Sequence, residues 1–157
     1  MHYTIRPIEP SEVELLDIFL YEAIYIPEGV EAPSLDIIQK PELQVYVKDF
    51  GRSKGDNALV AIVDGQLIGA VWTRIMDDYG HVDNATPSFA ISLFKEFRHF
   101  GIGTAMMKQM LSELKKQGYK QASLAVQKDN YATRMYRNVG FCTIAETTEE
   151  YIMTCKL

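Results

Sequence analysis

The 157-residue chain has only two cysteines, Cys142 and Cys155. That is too few for a disulfide framework, and neither lies in the spacing of a metal site. Both read as small hydrophobes in strands of a protein kept reduced, and a cytoplasmic location is the expectation. No stretch of about 18 apolar residues is present, so no membrane span is expected. The start, Met-His-Tyr-Thr-Ile-Arg, lacks the apolar run of a secretory signal. No repeat, low-complexity tract or Pro/Gly/Ser linker divides the sequence. With domains usually about 100–200 residues long, residues 1–157 are expected to form a single domain. Its net charge of −5 argues against a general nucleic-acid binder. What is present is ordinary for a globular chain: 47% hydrophobic and 24% charged residues.

The charge is unevenly spread. Residues 1–50 hold three basic and ten acidic side chains, whereas residues 95–137 hold nine basic and three acidic ones. A chain with one acidic and one basic segment suits a polyanionic ligand and a cationic one together, although most of these residues serve as solvated faces.

Hydrophobic spacing gives the elements in order. Tyr3–Ile8 alternates as a strand. A helix opens at Pro10-Ser11-Glu12, with Ser11 as N-cap and Glu14 as its capping-box partner, and ends near Ile26-Pro27. Leu35–Phe50 carries one or two short helices, broken at Pro41. The apolar runs 58–63 and 66–73 flank Asp64-Gly65, a strong hairpin signal. Ser88–Phe94 alternates as a strand, a helix runs from about Ile102 to Gln117, and Gly118 stops it. Gln121–Val126 is a strand, Asn130–Val139 a helix, and 141–146 with 151–156 a closing strand pair. The expected fold is α/β (α+β): a mixed, mostly antiparallel sheet of about seven strands with about four helices.

The strongest local signal is Arg98-His99-Phe100-Gly101-Ile102-Gly103-Thr104, between a strand and a helix. Two glycines there let the backbone curl so that several N–H groups converge at the positive end of the helix dipole, an anion site suited to a pyrophosphate. A dinucleotide fingerprint needs a glycine at 106, where Met106 stands, and a Walker A loop needs Gly-Lys-Ser/Thr. The second signal is the segment from Leu124 to Phe141. It holds a strand, a polar turn with Asn130 as cap, a helix carrying Tyr136, and Gly140-Phe141.

Together the two segments resemble the GNAT superfamily of acetyl-coenzyme A-dependent N-acetyltransferases. The first is similar to its Arg/Gln-x-x-Gly-x-Gly/Ala motif, and the second to its Asn-x-Ala-x-x-hydrophobic-Tyr-x-x-x-Gly-Phe segment. The resemblance implies that backbone N–H groups of Phe100, Gly101, Ile102, Gly103 and Thr104 hold the pyrophosphate of acetyl-CoA, flanked by Arg98 and His99. It implies that the strand backbone of Ile91, Ser92 and Leu93 pairs with the pantetheine arm, with one N–H polarising the thioester carbonyl. Asn130 would contact the pantetheine or anchor its turn, and Tyr136 would protonate the departing thiolate.

A thioester is already activated, so direct attack by an amine suffices. The amine must be neutral, yet an alkylamine has a pKa of about 10.4, so a proton acceptor or a water chain is needed. The family often places a glutamate early in the central strand, but Thr86-Pro87-Ser88-Phe89 offers no carboxylate. Glu28 is the named candidate base, with Asp77, Asp78, His81 and Asp83 as others. These acids hint at a cationic acceptor such as a polyamine, a lysine or an aminoglycoside. Tyr21, Tyr25 and Trp72 are candidates to line its pocket, although Trp72 fits the core better. A non-catalytic coenzyme A-binding regulatory module is the alternative. A nucleotide-binding domain is a weaker rival, given the overall acidity and the few aromatics interleaved with the basic segment. As dimers are the commonest assemblies, a homodimer is the default expectation.

Overall fold

The computed structural model describes residues 1–157. Seven strands form one sheet: β1 (Thr4–Pro7), β2 (Asn57–Val63), β3 (Gln66–Arg74), β4 (Ser88–Leu93), β5 (Gln121–Gln127), β6 (Cys142–Glu146) and β7 (Glu150–Lys156), in the order β1-β2-β3-β4-β5-β7-β6. The helices are α1 (Leu16–Ala23), α2 (Pro41–Gln44), α3 (Ile102–Lys116) and α4 (Ala132–Asn138). Asp64 and Gly65 both take positive φ, 50° and 79°, in the two-residue turn between β2 and β3, as a tight hairpin demands. The mixed, mostly antiparallel sheet of the sequence reading is therefore found.

β2 and β3 are apolar almost throughout because both faces of the sheet are covered. Leu59, Ala61, Ile68 and Val71 face a core completed by Met106, Met107, Met110 and Leu114 of α3, all fully buried. Ala58, Val60, Ala70 and Trp72 face a second core built with Leu16, Phe19 and Leu20 of α1. Each such side chain removed from water is worth about 1.5–3 kcal/mol. The methionines of α3 are core filling, as their spacing suggests, and Met106 joins them.

Every neighbouring strand pair is antiparallel except β4 and β5, which run parallel and meet at one residue pair, Ser88 with Ser123. The two serine hydroxyls lie 3.2 Å apart there, and Ser123 also donates to the Gly80 carbonyl. Beyond that point the strands part. The sheet is thus two arms joined at one end, with a wedge opening between β4 and β5.

The N-terminal helix differs from expectation at both ends. Its cap is Glu9, not Ser11: the Glu9 carbonyl accepts from the Glu12 N–H at 2.8 Å, and Glu12 returns its carboxylate to the Glu9 N–H at 2.9 Å. Pro10, with φ preset for the first helical position, moves the start two residues earlier. The first turn is a 3₁₀ helix over Pro10–Leu15, and α1 ends at Ala23, before the Ile26-Pro27 stop. The expected break at Pro41 is found: a short 3₁₀ helix spans Leu35–Gln39, and Pro41 opens α2. α4 begins at Ala132, two residues after Asn130. Cys155 is buried as expected, but Cys142 is exposed on the edge strand β6.

Candidate active site

The wedge becomes a continuous cleft in two parts. One, of about 530 Å³, is bounded by the end of β4, the loop before α3 and the face of α4. The other, of about 370 Å³, lies between β4, β5, α1 and the start of β7. Ala23, Tyr25, Ile91, Asn130 and Tyr136 belong to both.

The loop at residues 98–104 supplies the larger part with donors. The carbonyls of Lys95 and Phe94 satisfy the N–H groups of Arg98 and Phe97, and Ala105 donates to Gly101. Between them, the N–H groups of residues 99–104 donate to no protein acceptor. Two residues with left-handed backbone make this possible: His99 at φ 70° and Gly101, the N-cap of α3, at φ 82°. Gly101 sits there without a Cβ penalty. Six successive amides at the positive end of a 15-residue helix form an anion cradle.

The strand register aims a second set of backbone groups. The Phe94 N–H donates to Ile68 and Ser92 sits opposite Ala70, so even-numbered residues of β4 bond to β3. By the alternation of an antiparallel ladder, the N–H groups of Ile91 and Leu93 face the other way, into the wedge that β5 has left.

Tyr136 stands where the two parts join. Burial, with a smaller push from Tyr131, raises its hydroxyl to about 12, so it remains a proton donor throughout the neutral range. Phe141 packs edge-on against its ring, with centroids 6.3 Å apart.

Residues 23–141 match the acetyltransferase (GNAT) family. The chain belongs to that family. Solved structures agree on the fold. The PaiA N-acetyltransferase from Thermoplasma acidophilum, in complex with coenzyme A, aligns with TM-score 0.74 at 20% identity, covering 100% of both chains. The ribosomal-protein-S18-alanine N-acetyltransferase from Escherichia coli aligns with TM-score 0.67 at 17% identity, covering 99% of this chain and 94% of its own. YncA from Salmonella typhimurium, with its cofactor acetyl-CoA, aligns with TM-score 0.70 at 14% identity, covering 100% of this chain and 95% of its own. A search of curated proteins gave no match.

Within this GNAT fold, the residues singled out from the sequence fall into three groups. His99, Gly101, Gly103, Thr104, Ile91, Ser92, Leu93 and Tyr136 line the cleft. Phe100 is exposed beside the cradle, and the Ile102 side chain is core, so each contributes its amide alone. A second group lines the cleft but is engaged with the protein. Arg98 donates through Nε to the Leu93 carbonyl at 2.9 Å and reaches Glu22 at 3.4 Å, bracing the loop against β4 and α1. Asn130 accepts the Ala132 N–H on its side-chain oxygen at 2.9 Å and so closes the turn before α4. The third group lies elsewhere. Glu28 is an exposed loop residue outside both parts of the cleft. Tyr21 donates to the Pro33 carbonyl, and Trp72 is buried with its N–H on the Tyr46 carbonyl at 3.1 Å. His81 bonds the Met76 carbonyl, and Asp83 accepts from Ala85 and Thr86 in its own turn. Asp77 is exposed.

Four lining residues escaped sequence reasoning: Tyr46, Tyr79, Glu149 and Glu150. They come from three segments, and no local pattern links them. Only the pairing of β7 with β5, which sets Glu150 opposite Gln127, brings the two glutamates to the cleft. Asp78 is held behind this group by the Ser88 hydroxyl at 3.0 Å. Burial raises the carboxyls of both Asp78 and Glu150, and the charges of Glu149 and then Asp78 add to the push on Glu150.

Proposed function

We propose that the chain, acting as one catalytic unit in the cytoplasm, transfers the acetyl group of acetyl-CoA to a primary amine. The observation that carries this reading is the run of six unpaired amides at residues 99–104. Their number and convergence fit a pyrophosphate, whose oxygens accept several charge-assisted hydrogen bonds. His99, stacked on Tyr131 with centroids 5.3 Å apart, closes one side of that cradle. Arg98 keeps the loop in shape.

The chain's own groups then account for the transfer. Ile91 and Leu93 present N–H donors to a thioester arm laid along β4 in place of the missing strand pairing, and such a donor stabilises charge developing on the carbonyl oxygen. The amine enters from the smaller part of the cleft and forms its N–C bond as the C–S bond breaks. Tyr136 gives its proton to the departing sulfur and regains one from solvent. The amine's excess proton leaves through water. A thiolate pKa of about 8.5 makes a protonated tyrosine a useful partner.

Two measurements test the proposal. Calorimetry against acetyl-CoA and ATP is expected to show binding of the first and weak or no binding of the second. A thiol-release screen over polyamines, amino acids, aminoglycosides and peptide N-termini, with an acceptor-free control, is expected to find amine-dependent turnover. Tight ATP binding without a response to acetyl-CoA would overturn the reading. Coenzyme binding with no turnover for any amine would leave a regulatory binding module instead.

A further inference from the structure

The smaller part of the cleft specifies its ligand by what its wall contains and what it omits. No lysine, arginine or histidine lines it. Its charged residues are Glu149 and Glu150, and its aromatic wall includes Tyr25, Tyr46 and Tyr79. Asp78 stands close enough to influence both Tyr46 and Glu150. Two nearby basic side chains are turned to other partners: Lys128 reaches Glu146 at 3.6 Å and lies over the Tyr151 ring, and Arg137 of α4 lies over the same ring. Most of the remaining wall is apolar.

Such a cavity repels a carboxylate and draws a cation, through charge and through the faces of tyrosine rings. It also accommodates methylenes. A single amine cannot use all of this, because the amine that reacts must be neutral at the junction beside Ile91 and Tyr136. We propose that the acceptor carries a second positive charge on an alkyl spacer, as in a diamine or polyamine, and that Glu150 with the tyrosine rings holds the distal ammonium. This rests on the transferase reading above. Glu150 is thereby a specificity-determining residue. A mutually repelling carboxylate group lowers its energy most when a cation enters, and a neutral tail leaves that gain unrealised.

Three acceptors of matched length test it: hexamethylenediamine, hexylamine and aminocaproate, compared by kcat/KM at low ionic strength. The diamine is expected to exceed hexylamine by about tenfold or more, beyond its twofold statistical advantage, and aminocaproate to be the poorest. Added salt should shrink the preference, since the interaction is ionic. Glu150→Gln, nearly isosteric, should bring the diamine-to-hexylamine ratio to within about threefold. Equal use of hexylamine and diamine by the unaltered protein would overturn this proposal and leave the transferase reading standing. Turnover of neither, despite coenzyme binding, would overturn both. Equal loss of both amines in Glu150→Gln, with loss of the rising limb of the pH profile, would make Glu150 the proton acceptor instead and would also overturn it.

Discussion

The two parts of the cleft are built by different means. The cradle at residues 99–104 is backbone: its donors are amides, and the side chains around it serve mainly to hold a shape. The smaller cavity, proposed above to take the acceptor, is side chain: its character comes from glutamates at the start of β7 and tyrosines from three other segments. A backbone site tolerates any side chain that permits the curl, so its chemistry is tied to the fold. A side-chain site changes its ligand with a few substitutions while the sheet remains. One scaffold can therefore keep one co-substrate and vary the acceptor.

Substitutions sharpen that contrast, beginning with the residue that serves both halves. Tyr136→Phe is expected to lower kcat by about hundredfold to thousandfold while the Kd for coenzyme A changes by no more than about twofold, read by steady-state kinetics and calorimetry. Next in size is a residue that serves neither. Arg74, buried at the far end of β3, pairs with Asp56 at 3.0 Å and donates to the Val45 and Lys48 carbonyls. Removing one partner of a buried pair costs about 3–5 kcal/mol, so Arg74→Met should lower stability by that order in denaturant titrations. Coenzyme affinity of the folded fraction should be unchanged.

Gly101→Val addresses the cradle alone. A branched side chain at φ 82° is strained, at a cost of roughly 1–3 kcal/mol, and relief by unwinding the turn should weaken coenzyme binding by about tenfold or more. The pH profile separates the halves again. Because burial holds Tyr136 protonated up to about 12, kcat/KM should climb as the acceptor loses its proton near about 10.4. No alkaline fall from Tyr136 should appear below about pH 11. The smallest effect lies far from the cleft. The Arg6 guanidinium grips Glu12 at 2.7 and 2.8 Å and holds its carboxyl down to about 2. A lowered folded pKa stabilises above the ordinary carboxylate range near about 4.3, and the gain fades as pH falls toward the folded value. Glu12→Gln should cost at most about 1 kcal/mol at neutral pH and nothing near pH 2.

The contrast also explains what could be read from the sequence. The cradle was legible because two glycines, a preceding strand and a following helix are adjacent in the chain, and a backbone site leaves a local mark. The hairpin at Asp64-Gly65 and the succession of strands and helices along the chain were legible for similar reasons. The first cap was misplaced because a serine draws notice, although Pro10 fixes the helix start next to Glu9. The acceptor cavity was not legible. Glu149 and Glu150 look like turn residues, and they reach the cleft only because β7 inserts between β5 and β6. Glu28 drew attention as a loop acid near the acidic N-terminal segment, but α1 ends early and leaves it in solvent.

The most direct test follows the backbone amides of an isotope-labelled sample by NMR as coenzyme A is added. The largest shifts should fall on residues 99–104, with saturation matching the calorimetric Kd. Saturable binding that leaves those amides unmoved would contradict the cradle and every role assigned from it.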